Sequence, residues 1–171
     1  VFRRRQRQMC IRDRLWTAHE GAHLLISGFV HPPTESRAWE ALRLAGETDV
    51  LTVKGLEGGT DLPTGRACIT ARVRNGEAER LILHPRDHGC HDADVEWSSE
   101  DIWRTQAYEA LGNRGPLSNA LRWNAGAYLW FAGLCESLDS GIELATATLE
   151  DGQALAKLDQ LRSLQRALCI R

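Results

Sequence analysis

The residues best suited to chemistry lie in a glycine-rich segment, residues 55–61 (GLEGGTD), which follows Lys54. Its glycines would let backbone N–H groups approach a phosphate, and the carboxylates of Glu57 and Asp61 could bind Mg²⁺ through oxygen. The segment matches neither the dinucleotide fingerprint nor the P-loop, because no Gly-Lys-Ser/Thr ending follows it. The bare pattern favours a plain tight loop over a ligand site. The ligand-binding residues predicted here are Lys54, Gly55, Gly58 and Gly59.

A second group of candidate ligands lies within eight residues: His84, His88, Cys90 and His91. Structural zinc sites generally pair two short ligand motifs across a folded segment, whereas these four crowd one stretch. Solvated loop histidines are therefore favoured over a zinc site. No Gly-x-Ser-x-Gly elbow occurs and nothing singles out a Cys–His pair, so the catalytic residues are unknown.

Polar and aromatic residues of the later chain have both structural and binding interpretations. Asn124 lies on the apolar face of a predicted helix, where its amide either hydrogen-bonds the neighbouring backbone, which is favoured, or reaches a ligand. Four tryptophans could form a base-stacking platform, but large aromatics at helical spacing more often pack in a core or a dimer interface. They are Trp97, Trp103, Trp123 and Trp130.

The first half of the chain predicts one helix and three strands. Residues 34–44 are amphipathic, follow two prolines and end before Gly46, as a helix does. Residues 50–53 (VLTV) are apolar without alternation, which is typical of a strand covered on both faces. Residues 69–74 and 78–83 flank Asn75-Gly76, a strong signal for a β-hairpin.

The second half predicts four helices after a loop at residues 84–96. Ser98 or Ser99 would cap the first, Gly115-Pro116 would begin the second, and Ser137 would cap the third. Leucines from position 155 to 164 mark the fourth. The predicted fold class is α/β, an incomplete sheet with a β-hairpin followed by a four-helix C-terminal run. Because one buried parallel-type strand cannot form a sheet alone, its partner strands are expected upstream of this chain.

Charge is distributed unevenly along the 171 residues. The formal net charge is −2, yet residues 1–14 hold six arginines and one aspartate. Subtracting these leaves 15 basic and 22 acidic residues, a net charge of −7. An acidic body disfavours nucleic-acid binding through bulk charge. No apolar stretch reaches the roughly 20 residues of a membrane span, and the cysteine spacing is typical of the cytoplasm.

The N-terminal segment is interpreted as an artefact. Residues 4–13 (RRQRQMCIRD) match the in-frame translation of a transposon-type sequencing adapter over ten positions, and the only methionine lies inside them. Residues 1–14 are therefore predicted to be non-native, fused to a metagenomic gene fragment at residues 15–171. The alternative is a natural basic arm.

Six short motifs in order resemble glycosyl transferase family 3, the anthranilate phosphoribosyltransferase family, over roughly residues 24–161. They are residues 28–32 (GFVHP), 53–58 (VKGLEG), 85–89 (PRDHG), 115–117 (GPL), 123–127 (WNAGA) and 137–141 (SLDSG). The resemblance implies the C-terminal part of the large α/β domain of a nucleoside phosphorylase-like fold. It also implies a homodimeric parent protein that binds phosphoribosyl pyrophosphate with Mg²⁺ and lets an aromatic amine displace pyrophosphate.

Departures from the family pattern leave two functions open. The family loop ends in an adjacent Asp-Glu pair that holds Mg²⁺, and here only Asp61 can stand for it, with Glu57 nearby. The phosphate-binding Gly-Thr-Gly-Gly-Asp loop belongs to the N-terminal part, so the 171 residues alone are expected to be inactive. Residues 57–63 (EGGTDLP) and 123–130 (WNAGAYLW) look closer to a divergent, nucleic-acid-binding branch. For that alternative the phosphate contacts would come from Lys54, Arg66, Arg72, Arg74 and Arg80.

Overall fold

The computed structural model describes residues 21–74 and 76–169. Within this range the chain forms four strands and five α-helices, which confirms the α/β class. In chain order they are β1 Leu25–Gly28, α1 Pro32–Leu44, β2 Asp49–Val53, β3 Cys68–Arg74, β4 Glu77–Leu83, α2 Glu100–Ala110, α3 Ser118–Phe131, α4 Leu138–Glu150 and α5 Gln153–Cys169. The predicted adapter, residues 1–14, and Asn75 of the predicted turn lie outside the described residues. No described helix is long and apolar enough to cross a membrane.

The chain divides into two compact units. Of the described residues, the first comprises those from 21 to 63 together with Ala67–His84, and it contains the whole sheet and α1. The second comprises Thr64–Arg66 and the residues from Pro85 onward, and it contains the four later helices.

The sheet has the strand order β1-β2-β3-β4. β1 pairs with β2 in parallel, with Leu25 opposite Val50, while β2–β3 and β3–β4 are antiparallel. The hairpin prediction is thereby confirmed. The expectation that β2 takes its parallel partner from upstream sequence was wrong, because β1 supplies it. The sequence pattern did not predict β1, because this strand has only four residues and ends in Ser27 and Gly28, which interrupt the apolar pattern.

α1 packs on the β1–β2 end of the sheet. Leu42 is buried against Leu25 and Val50, and Val73 packs beside them. Two prolines occupy the first helical positions, where their missing N–H groups cost nothing. The helix ends at Leu44, and Gly46 adopts a φ of +84°, as the sequence indicated.

Polar caps set the starts of α2 and α4. The hydroxyl of Ser99 accepts the backbone N–H of Ile102, and Ser137 and Ser140 form a reciprocal capping box. α3 begins at Ser118, later than the predicted Gly115-Pro116, and ends at Phe131. Leu134 lies beyond the end of this helix and is exposed.

Candidate functional site

The glycine-rich segment forms a compact loop directly after β2. It contains a single 3₁₀ turn, Leu56–Gly58. The N–H of Leu56 donates to the carbonyl of Asp61 over 2.9 Å, and that of Gly59 donates to Leu56 over 2.7 Å. Glu57 adopts a φ of +51°, which is uncommon for a residue with a Cβ. The loop therefore holds one of its two exposed carboxylate residues in a left-handed conformation.

Close backbone packing explains two of the glycines. A Cβ on Gly28, at the end of β1, would collide with the carbonyl oxygens of Gly58 and Gly59. A Cβ on Gly55 would collide with the carbonyl of Gly59. Glycine is needed at both positions for the loop to lie against the end of β1, with or without a ligand.

A pocket of about 300 Å³ lies between the end of β1 and this loop. Its lining comes from Ile26, Ser27, Gly28, Gly59, Thr60 and Asp61. One carboxylate, two hydroxyl-bearing residues and a glycine backbone thus meet at the carboxyl end of a parallel strand, the usual place for ligands in open α/β sheets. Of the predicted site residues, Gly59 and Asp61 line the pocket, whereas Lys54, Gly55, Glu57 and Gly58 belong to the loop outside its lining.

The donor set suits a partly hydrated Mg²⁺. Within the described residues, no group of three or more His, Cys, Asp or Glu side chains is placed to hold a metal ion. Mg²⁺ commonly binds through one or two carboxylates and completes its octahedron with water and substrate phosphate oxygens. Asp61 in a pocket with hydroxyl groups fits that kind of site.

The first unit also contains a buried carboxylate that the sequence pattern did not indicate. Glu35, in the first turn of α1, is only 1% exposed. It accepts hydrogen bonds from the hydroxyl of Thr52 over 2.7 Å and from the guanidinium of Arg80 over 2.9 Å. Acidic residues are common in the first turn of exposed helices, so the sequence pattern gave no signal of burial.

Three of the five arginine and lysine residues predicted to contact nucleic acid form ion pairs. Arg72 and Arg74 both bind the carboxylate of Asp49, at 2.8 and 3.0 Å, and Arg80 binds Glu35. Arg72, followed by Arg74, holds the pKa of Asp49 below its usual value, against the effect of partial burial. Lys54 is half-buried in the first unit, and Arg66 is exposed in the second.

The candidate zinc ligands His84, His88, Cys90 and His91 form no metal-binding cluster in the part of the chain that the structure describes. His88 hydrogen-bonds Asp139 over 2.6 Å, whereas His91 contacts the carbonyl of Thr64 over 3.0 Å. Cys90 is buried, and burial raises the pKa of its thiol. His84 is exposed.

Asn124 and the tryptophans show mainly structural contacts. The amide of Asn124 donates to the carbonyl of Ala120, one turn earlier in α3, over 2.9 Å. Trp123 is fully buried, and Trp130 packs on Phe131 with ring centroids 4.8 Å apart. Trp97 and Trp103 are exposed and lie 6.3 Å apart.

Sequence comparison identifies relatives over most of the chain. An anthranilate phosphoribosyltransferase from Verminephrobacter eiseniae is 31% identical over 153 residues, which cover 87% of this chain and 44% of the relative. One from Burkholderia cenocepacia is 30% identical over 145 residues, covering 82% and 42%. The chain is homologous to anthranilate phosphoribosyltransferases. It spans less than half the length of these relatives, and no family model matches it.

Solved structures of anthranilate phosphoribosyltransferases share the fold. The enzyme from Thermus thermophilus superposes with a TM-score of 0.64 at 28% identity, over 81% of this chain and 42% of the enzyme. The Saccharomyces cerevisiae enzyme in complex with PRPP and Mg gives a TM-score of 0.64 at 15% identity, over 80% and 41%. The architecture predicted from the six motifs is thereby confirmed as the C-terminal part of the large domain. The closeness to a nucleic-acid-binding branch stays a prediction.

Proposed function

We propose that this chain is part of a phosphoribosyltransferase and forms one wall of a site for Mg²⁺-bound phosphoribosyl pyrophosphate. Homology to anthranilate phosphoribosyltransferases carries the proposal. The pocket beside Asp61 supports it, because it offers oxygen ligands at the strand end where such substrates bind. The Saccharomyces cerevisiae relative was solved with PRPP and Mg, which agrees with this substrate class.

Each residue of the loop has its own proposed role in binding the ligand. Asp61 binds the metal ion, and Glu57 is the second proposed ligand, reaching it through water. Gly58 and Gly59 let the backbone of the loop come close to anionic oxygens, which a residue with a side chain would block. Lys54 adds positive charge and Gly55 permits the close loop. Asn124, hydrogen-bonded within α3, has the weakest case for contacting a ligand.

The proposed reaction is substitution at the anomeric carbon of ribose. The amine nitrogen forms a bond to this carbon, the bond to the pyrophosphate oxygen breaks, and the amine loses a proton. Bound Mg²⁺ supplies neutralisation of the departing pyrophosphate. The chain's own contribution is to position the diphosphate and exclude alternative geometries.

Turnover is proposed for the whole protein, as are its homodimeric state and its acceptor amine. The 171 residues contain no Gly-Thr-Gly-Gly-Asp sequence. This chain alone is therefore expected to bind Mg²⁺-bound phosphoribosyl pyrophosphate without catalysing transfer of the phosphoribosyl group. We also propose that residues 1–14 are a translated adapter and that residues 15–171 are the native part. Sequencing of the source locus upstream of Leu15 tests this proposal.

Calorimetric titration of Mg²⁺-bound phosphoribosyl pyrophosphate into the chain tests the proposed site. Asp61→Asn keeps the backbone carbonyl that accepts the N–H of Leu56 but removes the charge of the carboxylate. The affinity for Mg²⁺-bound phosphoribosyl pyrophosphate should therefore fall about 10- to 100-fold. Glu40→Gln, at an exposed position of α1, is the matched control and should bind like the wild type. Equal affinities for all three proteins, or no wild-type binding, would contradict the proposal.

Nucleic-acid binding is the alternative proposal, and the observed ion pairs weaken it. Asp49 and Glu35 already neutralise Arg72, Arg74 and Arg80. Only Lys54 and Arg66 of the predicted set are without an ion pair in the described residues. Two cations on an acidic body give little phosphate neutralisation.

A further inference from the structure

A buried carboxylate without an assigned role lies in the first unit. Glu35 is 1% exposed, as is Thr52, to which it is bound. Burying a carboxylate costs several kcal/mol unless hydrogen bonds and an opposite charge compensate it. Apolar residues of similar size would fill this position in the core at lower cost. The hydrogen bonds of Glu35 to Thr52 and Arg80 compensate this cost and hold the carboxylate in one defined geometry.

The contacts of Glu35 join three elements of the unit. Its Oε1 accepts from Thr52 of β2, and its Oε2 accepts from Arg80 of β4, while Glu35 itself belongs to α1. The indole N–H of Trp39 donates to the Thr52 hydroxyl over 3.3 Å, and the Arg80 guanidinium lies 5.8 Å from the Trp39 ring centroid. Every polar group of this network has a partner, which favours one arrangement of the helix on the sheet.

The network joins the pocket through Thr52, which lies opposite the pocket-lining residue Ser27 in the parallel β1–β2 register. α1 begins four residues after Gly28, which forms the β1 wall, and Glu35 sits in its first turn. Thr52 precedes Gly55, where the loop that forms the other wall begins, by three residues. Gly28 packs directly on Gly58 and Gly59. The hydrogen bond between Glu35 and Thr52 therefore fixes the end of β2, from which the loop continues, relative to α1, which follows β1.

We propose that Glu35 is a positioning residue that holds the loop of residues 55–61 in the geometry needed for the metal-bound diphosphate. The identity of the ligand in this inference rests on the proposed function. The way in which Glu35 would act rests on its hydrogen bond to Thr52. Glu35 acts through Thr52 and does not touch the ligand. Residues in this kind of supporting role commonly tune the affinity of a metal site about 10- to 100-fold.

Four variants separate positioning from general stability. Thr52→Val replaces the hydroxyl that binds Glu35, and that also contacts Trp39 and Ala71, with a methyl group, whereas Thr52→Ser keeps the hydroxyl. Glu35→Gln keeps an acceptor for Thr52 but removes the charge that faces Arg80. Leu42→Val is the control, because Leu42 is also 1% exposed on α1 but packs in the apolar cluster outside the network. The melting temperature of each variant is measured first, so that all variants can be compared under conditions in which they are equally stable.

Two measurements decide the outcome: calorimetric affinity for Mg²⁺-bound phosphoribosyl pyrophosphate, and hydrogen exchange of the peptide covering residues 54–62. Thr52→Val should lower affinity about tenfold or more and accelerate exchange in that peptide, with Glu35→Gln intermediate and Thr52→Ser near wild type. Leu42→Val, at matched stability, should leave loop exchange unchanged. If Thr52→Val exchanges like Leu42→Val, Glu35 is merely structural and the proposal fails. If exchange responds but the wild type binds no ligand, the proposed function falls while the positioning of the loop stands.

Discussion

At the scale of single residues, carboxylates in the first unit are held by arginines from neighbouring strands. Asp49 starts β2 and accepts three hydrogen bonds, two from Arg72 and one from Arg74, which lie on β3. Arg72 is directly opposite Leu51 and Arg74 opposite Asp49 in the antiparallel register. Both arginines can therefore reach the carboxylate of Asp49. Their charges are paired within the sheet and are less available to a binding partner.

This arrangement predicts a pH-dependent contribution to stability from Asp49. Its pKa is lowered, chiefly by Arg72, so its contribution is complete above the unfolded value near 3.8 and is lost as pH falls through the lower folded value. Near neutral pH, Asp49→Asn should lower the free energy of unfolding by about 1 kcal/mol. In strong acid the two proteins should unfold at the same urea concentration.

Urea denaturation at both pH values, followed by circular dichroism, checks this prediction. Asp101→Asn is the control, because Asp101 pairs with Arg104 but its side chain is 85% exposed. That variant should differ little from the wild type at either pH. An Asp49→Asn difference that persisted in acid would show that the lost hydrogen-bond geometry, not the charge, matters.

At the scale of elements, α3 and α4 cross with their backbones in contact. A Cβ on Gly126 would approach the backbone N and Cα of Ile142 to 2.7 Å, and one on Gly141 would collide with the carbonyl of Gly126. Two of the six motifs that carry the resemblance, residues 123–127 and 137–141, contain these two glycines. Their presence in both motifs is explained by helix packing, without reference to a ligand.

Gly126→Ala should therefore destabilise the second unit. Helix propensity alone would stabilise it by about 1 kcal/mol, whereas overpacking at a backbone contact costs about 1–3 kcal/mol. A net loss of stability is expected, measured by urea unfolding. Ser163→Ala, at an exposed position of α5, serves as the control and should change stability little. A more stable Gly126→Ala protein would mean that α3 and α4 can separate without cost.

At the scale of the whole molecule, charge decides between the two proposed functions. Residues 15–171 carry a net charge of −7, and most of the proposed nucleic-acid contacts are neutralised by neighbouring carboxylates. Binding to nucleic acid would have to arise from Lys54 and Arg66. The proposed anion binding in the pocket needs no such surface, because a metal ion at Asp61 would provide the positive charge.

A labelled DNA oligonucleotide should accordingly bind weakly to residues 15–171. Fluorescence anisotropy at increasing salt should show a shallow dependence, since each neutralised phosphate adds about −0.9 to the slope of log affinity against log salt. The double variant Lys54→Gln with Arg66→Gln should alter the curve little. Tight binding that falls steeply with salt, and that the double variant weakens, would favour the nucleic-acid alternative instead.

Local pattern was sufficient for much of the fold. Asn75-Gly76 between alternating segments predicted the β3–β4 hairpin, and Ser99 and Ser137 marked helix starts, because turns and caps depend on neighbours in sequence. The glycine-rich loop was located for the same reason. The start of α3 was placed too early, since Gly115-Pro116 permits a helix to begin without requiring it.

The amino-acid pattern was enough to predict the α/β class, the order of most elements and the position of the candidate loop. The pairing of β1 with β2, the place of Asp61 rather than Glu57 in the pocket lining, and the burial of Glu35 against Thr52 and Arg80 became visible only in the folded chain. Those features depend on residues 17 to 45 positions apart in the chain. Hydrophobic periodicity and capping reach only a few residues, so contacts at this separation are fixed by how the helix packs on the sheet.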